Sequence, residues 1–515
     1  LNVLANRLWR IAQASRDTRD FTLNSLRQAL EEVIASFPVY RTYIVEQPSD
    51  DDRRFIEWAI AQAKNRNRAV DVTVFDFVRE VLLINAAEGR APEIQAAVRA
   101  FAGKFQQLTG PVTAKGLEDT TFYIYNRLVS LNEVGGNPMT FGFTVSAFHG
   151  ASQDRAVNWP HTMLATSTHD SKRSEDVRAR INVLTEIPAL WRLSLSRLAR
   201  AARSRKQIVD GEPAPSRNDE YLLYQVLLGT WPLEPMDSRA LSAYRERIRN
   251  YMIKAVRESK VRSSWVSVNE SYETGVSQFV DSVLRRKGRN PFLDEIDTLA
   301  RRVSWLGMLN SLSITFLKFA SPGVPDIYQG NELWNFALVD PDNRGAVDFG
   351  QRSAALEAIR SELAPGAPDR TARARALLDS LEDGRAKLFV TWRMLQLHAE
   401  WPEAFMQGEY VAVNSEGECA DHVVAFARRG VGRTVIAVAP RLMNALVGEA
   451  RGLPLGPGVW RDTQIDLSFL GVAVQLENTL TGERFVPQTR DGRLLLPLAQ
   501  VLASFPVALI AYRTE

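Results

Sequence analysis

A short apolar run at residues 163–166 (MLAT) changes abruptly into polar sequence, and this change limits the folds available to the chain. A run of this length and composition predicts a buried strand. Ser174 can cap a following helix, with two acidic residues in the positively polarised first turn. His169 and Asp170 therefore follow the C-terminal end of a strand. In a parallel α/β barrel, that end of the strands is the catalytic face.

Two further segments have a similar organisation. Residues 323–328 (GVPDIY) follow a long apolar helical pattern and are predicted to form another strand. Residues 110–114 (GPVTA) are also predicted to form a strand, and the polar residues Lys115, Glu118 and Asp119 follow it. These three side chains allow two interpretations, contact with a ligand or the capping of a following helix.

Other candidate residues also have a purely structural interpretation. Asp170 could cap the helix that follows it, because aspartate is a common N-cap residue. Trp231 and Trp265 could stack on sugar rings, since an aromatic face suits a pyranose ring, or they could pack in the core. The sequence leaves both pairs of alternatives open.

Composition excludes several classes of function. The chain has 515 residues, ordinary globular usage and a net charge of +3, which gives no argument for a nucleic-acid partner. Cys419 is the only cysteine, so no intrachain disulfide and no cysteine-based zinc site can form. The five histidines lack H-x-x-x-H spacing, and no metal site is expected. No apolar run has the length of a membrane span and no signal pattern is evident, so a cytoplasmic protein is expected.

Changes in the hydrophobic pattern along the sequence divide the chain into five parts. Helical periodicity dominates the beginning and a middle stretch, whereas short alternating strands punctuated by Gly and Pro dominate the end. The predicted end strands are residues 422–427, 434–439, 472–477, 493–498 and 505–512. The predicted parts are a helical segment (1–108), two predicted strands with the polar loop that carries His169 and Asp170 (109–189), a second helical segment (190–300), a last predicted strand with following helices (301–405) and an antiparallel β domain (406–515).

Five long segments resemble one known family. They are TRDFTLNSLRQALEEVIASFPVYRTYI (18–44), GPVTAKGLEDTTFYIYNRLVSLNEVGGNP (110–138), ATSTHDSKRSEDVRARINVLTEIP (165–188), PSRNDEYLLYQ (215–225) and GVPDIYQGNELWNFALVDPDNRGAVDF (323–349). The chain resembles the α-amylase-like glycoside hydrolases of family 13, and within them the trehalose-forming synthases. The resemblance runs nearly from end to end.

The resemblance implies an α/β fold. The chain would be the C-terminal part, about two-thirds, of a synthase that carries a (β/α)₈ TIM barrel with large helical insertions and a C-terminal antiparallel β-sandwich. It would start just after the fifth barrel strand. The sixth, seventh and eighth strands would end near Ala114, Ser167 and Tyr328.

The resemblance also assigns candidate site residues. Asp170 matches the carboxylate that stabilises the oxocarbenium-like transition state, and His169 matches a histidine that hydrogen-bonds the same sugar. Lys172 and Arg173 match substrate-side cations more weakly, and the strand-end residues Lys115, Glu118 and Asp119 are further substrate-binding candidates. The family's nucleophile motif, G-x-R-x-D-H, does not occur in this sequence. The resemblance places the general acid on a strand that should precede Leu1.

The implied activity is that of an isomerase in trehalose biosynthesis. Such an intramolecular transglycosylase, a glucosylmutase, converts the reducing-end α-1,4 linkage of a maltooligosaccharide into an α,α-1,1 linkage and needs no cofactor. The implied partners are the N-terminal half of the barrel and the enzyme maltooligosyltrehalose trehalohydrolase. Without that half, the chain alone is expected to be inactive. The alternatives are an amylolytic hydrolase or branching enzyme of the same superfamily, and an inactive carbohydrate-binding fragment.

Overall fold

Residues 1–286, 288–448 and 451–513 are described by a computed structural model of the chain. The chain forms two units, Leu1–Ile124 and Tyr125–Glu515. In the described ranges, no helix combines the length and the apolar character that crossing a membrane requires.

The first unit consists of helices whose apolar faces share one core. Several of these helices begin at side-chain caps that their sequences predict. Thr22 accepts a hydrogen bond from the backbone of Ser25, and Ser49 forms a reciprocal capping box with Asp52. The five helices are α1 (Asn2–Gln13), α2 (Leu23–Ala35), α3 (Asp50–Arg66), α4 (Val72–Leu82) and α5 (Pro92–Thr113).

The prediction of a strand at residues 110–114, as the sixth strand of the barrel, is wrong. Helix α5 continues through Gly110 and Pro111, and a π-helical turn, Ala114–Glu118, extends it. The apolar stripe of α5, including Phe101 and Phe105, fixes this conformation, because it buries one face of the helix. The predicted strand was short, and its polar groups are satisfied within the helix instead.

The second unit contains a pair of short parallel strands, β1 (Met163–Leu164) and β4 (Val324–Pro325). The backbone N–H of Val324 donates to the carbonyl of Thr162 at 2.8 Å. The strands predicted at 163–166 and 323–328 are thus confirmed as parallel neighbours, although both are shorter than predicted. This pair is the one parallel sheet in the part of the chain that the structure describes, so a complete barrel is not seen there.

Helix α7 (Glu175–Asn182) follows β1 and lies in close contact with two other helices. A Cβ added at Gly229 of α9 (Arg217–Thr230) would lie 2.8 Å from Val177. A Cβ added at Gly307 of α12 (Pro291–Ala320) would lie 2.5 Å from the Arg180 side chain. Glycine therefore allows both helices to approach α7 more closely than any larger residue would.

Helices predominate between α7 and the C-terminal sheets, interrupted by one exposed β-hairpin. The remaining elements of this region are α8 (Pro188–Ala202), β2 (Gln207–Val209), β3 (Glu212–Ala214), α10 (Ser238–Ser259), α11 (Glu270–Val283), α13 (Phe349–Leu363), α14 (Arg370–Ala376) and α15 (Arg385–Glu400). Helix α6 (Val145–Asn158) precedes β1. Residues 338–345, after β4, form a loop with a 3₁₀ turn at Asp342–Arg344.

The C-terminal part consists of two antiparallel sheets over a common core. The strands are β5 (Glu409–Val413), β6 (Ser415–Glu416), β7 (Val423–Gly430), β8 (Arg433–Pro440), β9 (Gln464–Asp466), β10 (Leu476–Asn478), β11 (Arg484–Phe485), β12 (Gln488–Arg490), β13 (Arg493–Pro497) and β14 (Ala508–Arg513). The six-stranded sheet has the order β11-β10-β14-β8-β7-β5 and the four-stranded sheet β12-β13-β9-β6. Ile436 and Ile465, one from each sheet, belong to the same buried cluster as Trp460. Short helices connect some of these strands, namely α16 (Met443–Val447), α17 (Pro457–Trp460) and α18 (Leu498–Val501).

The antiparallel character predicted for residues 406–515 is confirmed by these sheets. Four of the five predicted strands coincide with β7, β8, β13 and β14 within a few residues. The fifth, at 472–477, overlaps only the start of β10, and residues 472–475 are not in a strand.

Candidate functional site

His169 and Asp170 lie in the loop that joins β1 to α7, just past the C-terminal end of the strand. Nε2 of His169 is 3.2 Å from Oδ2 of Asp170, and the side chains are 64% and 63% exposed. The backbone N–H of Asp170 donates to Oγ1 of Thr168 at 3.3 Å. The loop thus presents an adjacent carboxylate and imidazole to solvent, where both can reach a ligand.

Hydrogen bonds hold this loop at several points. The N–H of Thr168 donates to Oγ of Ser171 at 2.8 Å. The amide of Asn343, in the loop after β4, donates to the carbonyl of His169 at 2.7 Å. The carboxylate of Glu133 accepts the backbone N–H of Lys172 at 2.9 Å. His169 and Asp170 therefore lie on a loop whose backbone is held in place by hydrogen bonds.

Ser174 is the N-cap of α7, and its Oγ accepts the N–H of Val177 at 3.4 Å. Its hydroxyl also donates to the carbonyl of Asn335, and its own N–H donates to Ala337 at 3.0 Å. The alternative in which Asp170 caps this helix is wrong, because Ser174 occupies that position.

Lys172 and Arg173 lie on the inner side of the loop, where Arg173 is only 1% exposed. Its guanidinium donates to the carbonyl of Val129 at 3.2 Å and to the hydroxyl of Tyr251 at 2.8 Å. Lys172 is also buried. Arg173 thus makes contacts within the protein, and the substrate contacts predicted for both cations stay predictions.

Lys115, Glu118 and Asp119 belong to the first unit, at the end of α5, and do not follow a strand. The ammonium of Lys115 is 2.5 Å from Oδ2 of Asp119. Glu118 is buried and accepts a hydrogen bond from the hydroxyl of Tyr40. The Lys115–Asp119 contact lies within the end of the helix, whereas Tyr40 belongs to the segment between α2 and α3. The substrate contacts predicted for the three residues stay predictions.

A buried charge cluster, which sequence reasoning missed, lies at the start of α7. It consists of Glu175, Asp176, Lys318 and Lys387 and is almost inaccessible to solvent. Nζ of Lys387 is 2.7 Å from Oε1 of Glu175 and 2.8 Å from Oδ2 of Asp176. Nζ of Lys318 lies 3.7 Å from Oε2 of Glu175. The cluster therefore connects α7 with α12 and α15.

The same cluster reaches the end of β1. Lys318 donates to Oγ1 of Thr166 at 3.0 Å, and that hydroxyl donates to Glu175. The N–H of Glu175 donates to Oγ of Ser167 at 2.9 Å. Charged groups thus fix both ends of the loop that carries Asp170. A lysine within an otherwise apolar helical stretch, as at Lys318, was the available sequence signal.

Burial and charge oppose each other in this cluster. Burial acts to raise the pKa of Glu175, but Lys387 and Lys318 outweigh it and lower that pKa to about 2. Burial raises the pKa of Asp176 in spite of Lys387. Burial acts to lower the pKa of Lys387, but the two carboxylates raise it overall. The cluster thus retains a charged lysine between carboxylates of unequal acidity.

The exposed loop and the buried cluster differ in what they can do chemically. The exposed carboxylate of Asp170 can stabilise positive charge that develops on a bound molecule, whereas Glu175 and Asp176 are engaged with lysines. No group of three or more His, Cys, Asp or Glu side chains is arranged to hold a metal ion in residues 1–286, 288–448 and 451–513.

Comparisons with known proteins agree on one family. No protein-family model matches the chain. A Mycobacterium tuberculosis protein provisionally named maltooligosyl trehalose synthase is 38% identical over 360 residues, which are 70% of this chain and 42% of that protein. The solved maltooligosyltrehalose synthase of Arthrobacter ramosus is 31% identical with a TM-score of 0.74, covering 100% of this chain and 56% of that one. A hypothetical maltooligosyl trehalose synthase of Sulfolobus tokodaii is 27% identical with a TM-score of 0.64, covering 98% and 58%.

The chain spans about half the length of these relatives, which is less than the two-thirds that the resemblance implied. The fold of the solved synthases nevertheless covers the whole of this chain or nearly so. Sequence identity and fold thus point to the same proteins. The chain is therefore homologous to the maltooligosyltrehalose synthases.

Proposed function

We propose that the protein that carries this chain is an intramolecular transglycosylase. It would cleave the reducing-end α-1,4 bond of a maltooligosaccharide and rejoin the released glucose through an α,α-1,1 bond. The homology to maltooligosyltrehalose synthases supports this activity. The observation that carries it is the exposed His169–Asp170 pair at the C-terminal end of a parallel strand.

Asp170 is proposed to stabilise the transition state. Glycosidic cleavage develops positive charge on the anomeric carbon and ring oxygen, and an ionised carboxylate held beside that charge lowers the barrier. His169, 3.2 Å from Asp170, is proposed to hydrogen-bond the same sugar ring. Two hydrogen bonds would keep both groups in place during the reaction, one from Asn343 to the carbonyl of His169 and one from the N–H of Asp170 to Thr168.

The proposed reaction needs two more carboxylates, a nucleophile and a general acid. We assign them to the N-terminal half of the barrel, because the matched relatives are about twice as long as this chain. Activity would then require both halves, in one chain or as two associated chains. The trehalose-ended product would be the substrate of maltooligosyltrehalose trehalohydrolase.

The test compares full-length enzyme with its Asp170→Asn variant, which removes the charge and keeps the shape. We expect kcat to fall by about 10³-fold while KM changes little, as when transition-state electrostatics are removed. Asp379→Asn, at an exposed position, is the matched control and should retain full kcat. An Asp170→Asn enzyme with most of its turnover would contradict the proposed role.

Product analysis separates the proposed reaction from hydrolysis. With maltopentaose as substrate, formation of a 1,1 linkage removes reducing ends, whereas hydrolysis creates them. A rise in reducing sugar catalysed by the wild-type enzyme would favour an amylolytic hydrolase instead.

A further inference from the structure

A cleft of about 850 Å³ lies in the second unit between α10, α11 and the loop at residues 338–345. Its volume is within the usual range of ligand sites, about 300–1,000 Å³. The wall includes Trp265 from the α10–α11 connection, Tyr251 from α10 and Ser277 from α11. None of these side chains belongs to the His169–Asp170 loop.

Trp265 gives the cleft an exposed aromatic surface. The residue is 54% exposed, whereas Trp231, the other tryptophan considered for sugar stacking, is buried. The guanidinium of Arg257 lies 4.9 Å from the centre of the Trp265 ring, and Glu273 holds that guanidinium at 2.7 Å. The ring is thus supported on one side, and a flat apolar surface of this kind suits a sugar ring.

The cationic groups around the cleft contact groups of opposite charge or polarity. Arg247 lies 2.7 Å from the carboxylate of Asp342. Nζ of Lys254 donates to the carbonyl of Asp340 at 2.5 Å. The Arg247 charge is thus paired with a carboxylate, whereas the carbonyl orients the Lys254 ammonium without neutralising it, and both groups form a polar wall beside an aromatic surface. A neutral ligand with many hydroxyl groups fits this combination.

Two contacts join the cleft to the loop that carries Asp170. Asn343, in the loop that forms one wall, donates to the carbonyl of His169 at 2.7 Å. Arg173, three residues after Asp170, donates to the hydroxyl of Tyr251 in the cleft wall at 2.8 Å. The loop at residues 338–345 therefore lines the cleft and also contacts the backbone of His169.

We propose that this cleft binds a segment of α-glucan separately from the His169–Asp170 pair, with Trp265 as its stacking surface. It would hold a part of a maltooligosaccharide that does not react, and so increase the affinity for longer chains. The choice of α-glucan among neutral sugars rests on the proposed function. The existence of the cleft and of its aromatic surface does not.

The test measures binding of maltoheptaose to the full-length enzyme by isothermal titration calorimetry, in an Asp170→Asn background that is expected to slow turnover by about 10³-fold. Trp265→Ala should weaken binding about tenfold, as when an aromatic anchor is truncated. Trp58→Ala is the matched control, because Trp58 is similarly exposed on α3, and it should leave the affinity unchanged. Maltose should bind more weakly than maltoheptaose and be less sensitive to Trp265→Ala.

A second variant fills the cleft instead of removing its surface. Ser277→Trp places a bulky side chain in the cleft wall and should also weaken maltoheptaose binding. Unchanged affinity in both Trp265→Ala and Ser277→Trp would overturn the inference. Binding of inorganic phosphate in place of maltoheptaose would also overturn it. The kcat of Asp170→Asn tests the proposed function separately, so either idea can fail while the other stands.

Discussion

The ammonium group of Lys387 lies 2.7 Å from the carboxylate of Glu175, and both side chains are buried. The two residues come from α15 and from the first turn of α7, far apart in the chain. Glu175 directly follows the loop of His169 and Asp170, and its N–H donates to Oγ of Ser167 in that loop. The position of that loop thus depends on a buried charge pair, and water cannot reach either group to take the place of its partner.

Removal of the central cation should strongly destabilise the fold. Lys387→Met leaves Glu175 and Asp176 without the lysine between them, and the loss of one partner of a buried ion pair costs about 3–5 kcal/mol. Urea unfolding monitored by circular dichroism measures the change. Lys104→Met, at an exposed position, should stay within about 0.5 kcal/mol of the wild type. Equal stability of the two variants would show that the cluster is energetically neutral.

The cluster should also make stability depend on acidity. The pKa of Glu175 is about 2 in the folded chain, below its ordinary value of 4.5, so the folded state holds this group ionised where the unfolded chain takes up a proton. The stabilisation is complete above about pH 4.5 and is lost as the pH falls towards 2. The stability advantage of wild type over Glu175→Gln should therefore shrink in that window.

Urea unfolding from about pH 6 to about pH 3 measures this advantage. The control is Glu31→Gln, whose side chain is exposed on α2, and its difference from wild type should vary much less with pH. An advantage over Glu175→Gln that stays constant across the window would contradict the charged state assigned to Glu175.

Loss of the helix cap should have a moderate effect. Ser174→Ala removes the acceptor for the N–H of Val177 and the donor to the carbonyl of Asn335. We expect a cost of about 1–2 kcal/mol, the upper part of the range for N-cap removal. Thermal unfolding measures it against Ser196→Ala, an exposed serine on α8. A melting temperature as high as that of Ser196→Ala would mean that the cap contributes nothing.

Asn343 should act as a positioning residue in full-length enzyme. Asn343→Ala removes the hydrogen bond to the carbonyl of His169, and displacement of a positioned group reduces turnover by about 10- to 100-fold. The kcat should fall while the urea midpoint stays near that of wild type. Asn6→Ala, on α1, should change neither quantity. An unaltered kcat in Asn343→Ala would show that the bond does not position the pair.

Local signals in the sequence predicted the parts of the fold that depend on local chemistry. Ser174 precedes an acidic turn and does cap α7, as its position indicates. The abrupt change from apolar to polar sequence correctly located β1, and the alternating pattern located most C-terminal strands. Burial, hydrogen-bonding capacity and conformational preference act together in such segments.

Long-range contacts account for most of what the sequence did not reveal. Lys387 and Asp176 are separated by 211 positions, so no local pattern pairs them. Arg173 looks like an exposed loop cation, but its bond to Tyr251 places it inside the unit. At residues 110–114 the helical stripe of the preceding segment outweighed the local preference of a short Gly-Pro run.

The loop at residues 338–345 supports His169 through Asn343 and forms a wall of the cleft that contains Trp265. A substitution in this loop should therefore alter turnover and glucan affinity together, whereas substitutions at Trp265 should alter affinity alone. Directed evolution towards other chain lengths should accordingly accumulate its first useful changes on α10 and α11. Substitutions in the loop at residues 338–345 should be tolerated only together with compensating substitutions. Such non-additive effects are expected because the loop contacts both the cleft and the backbone of His169.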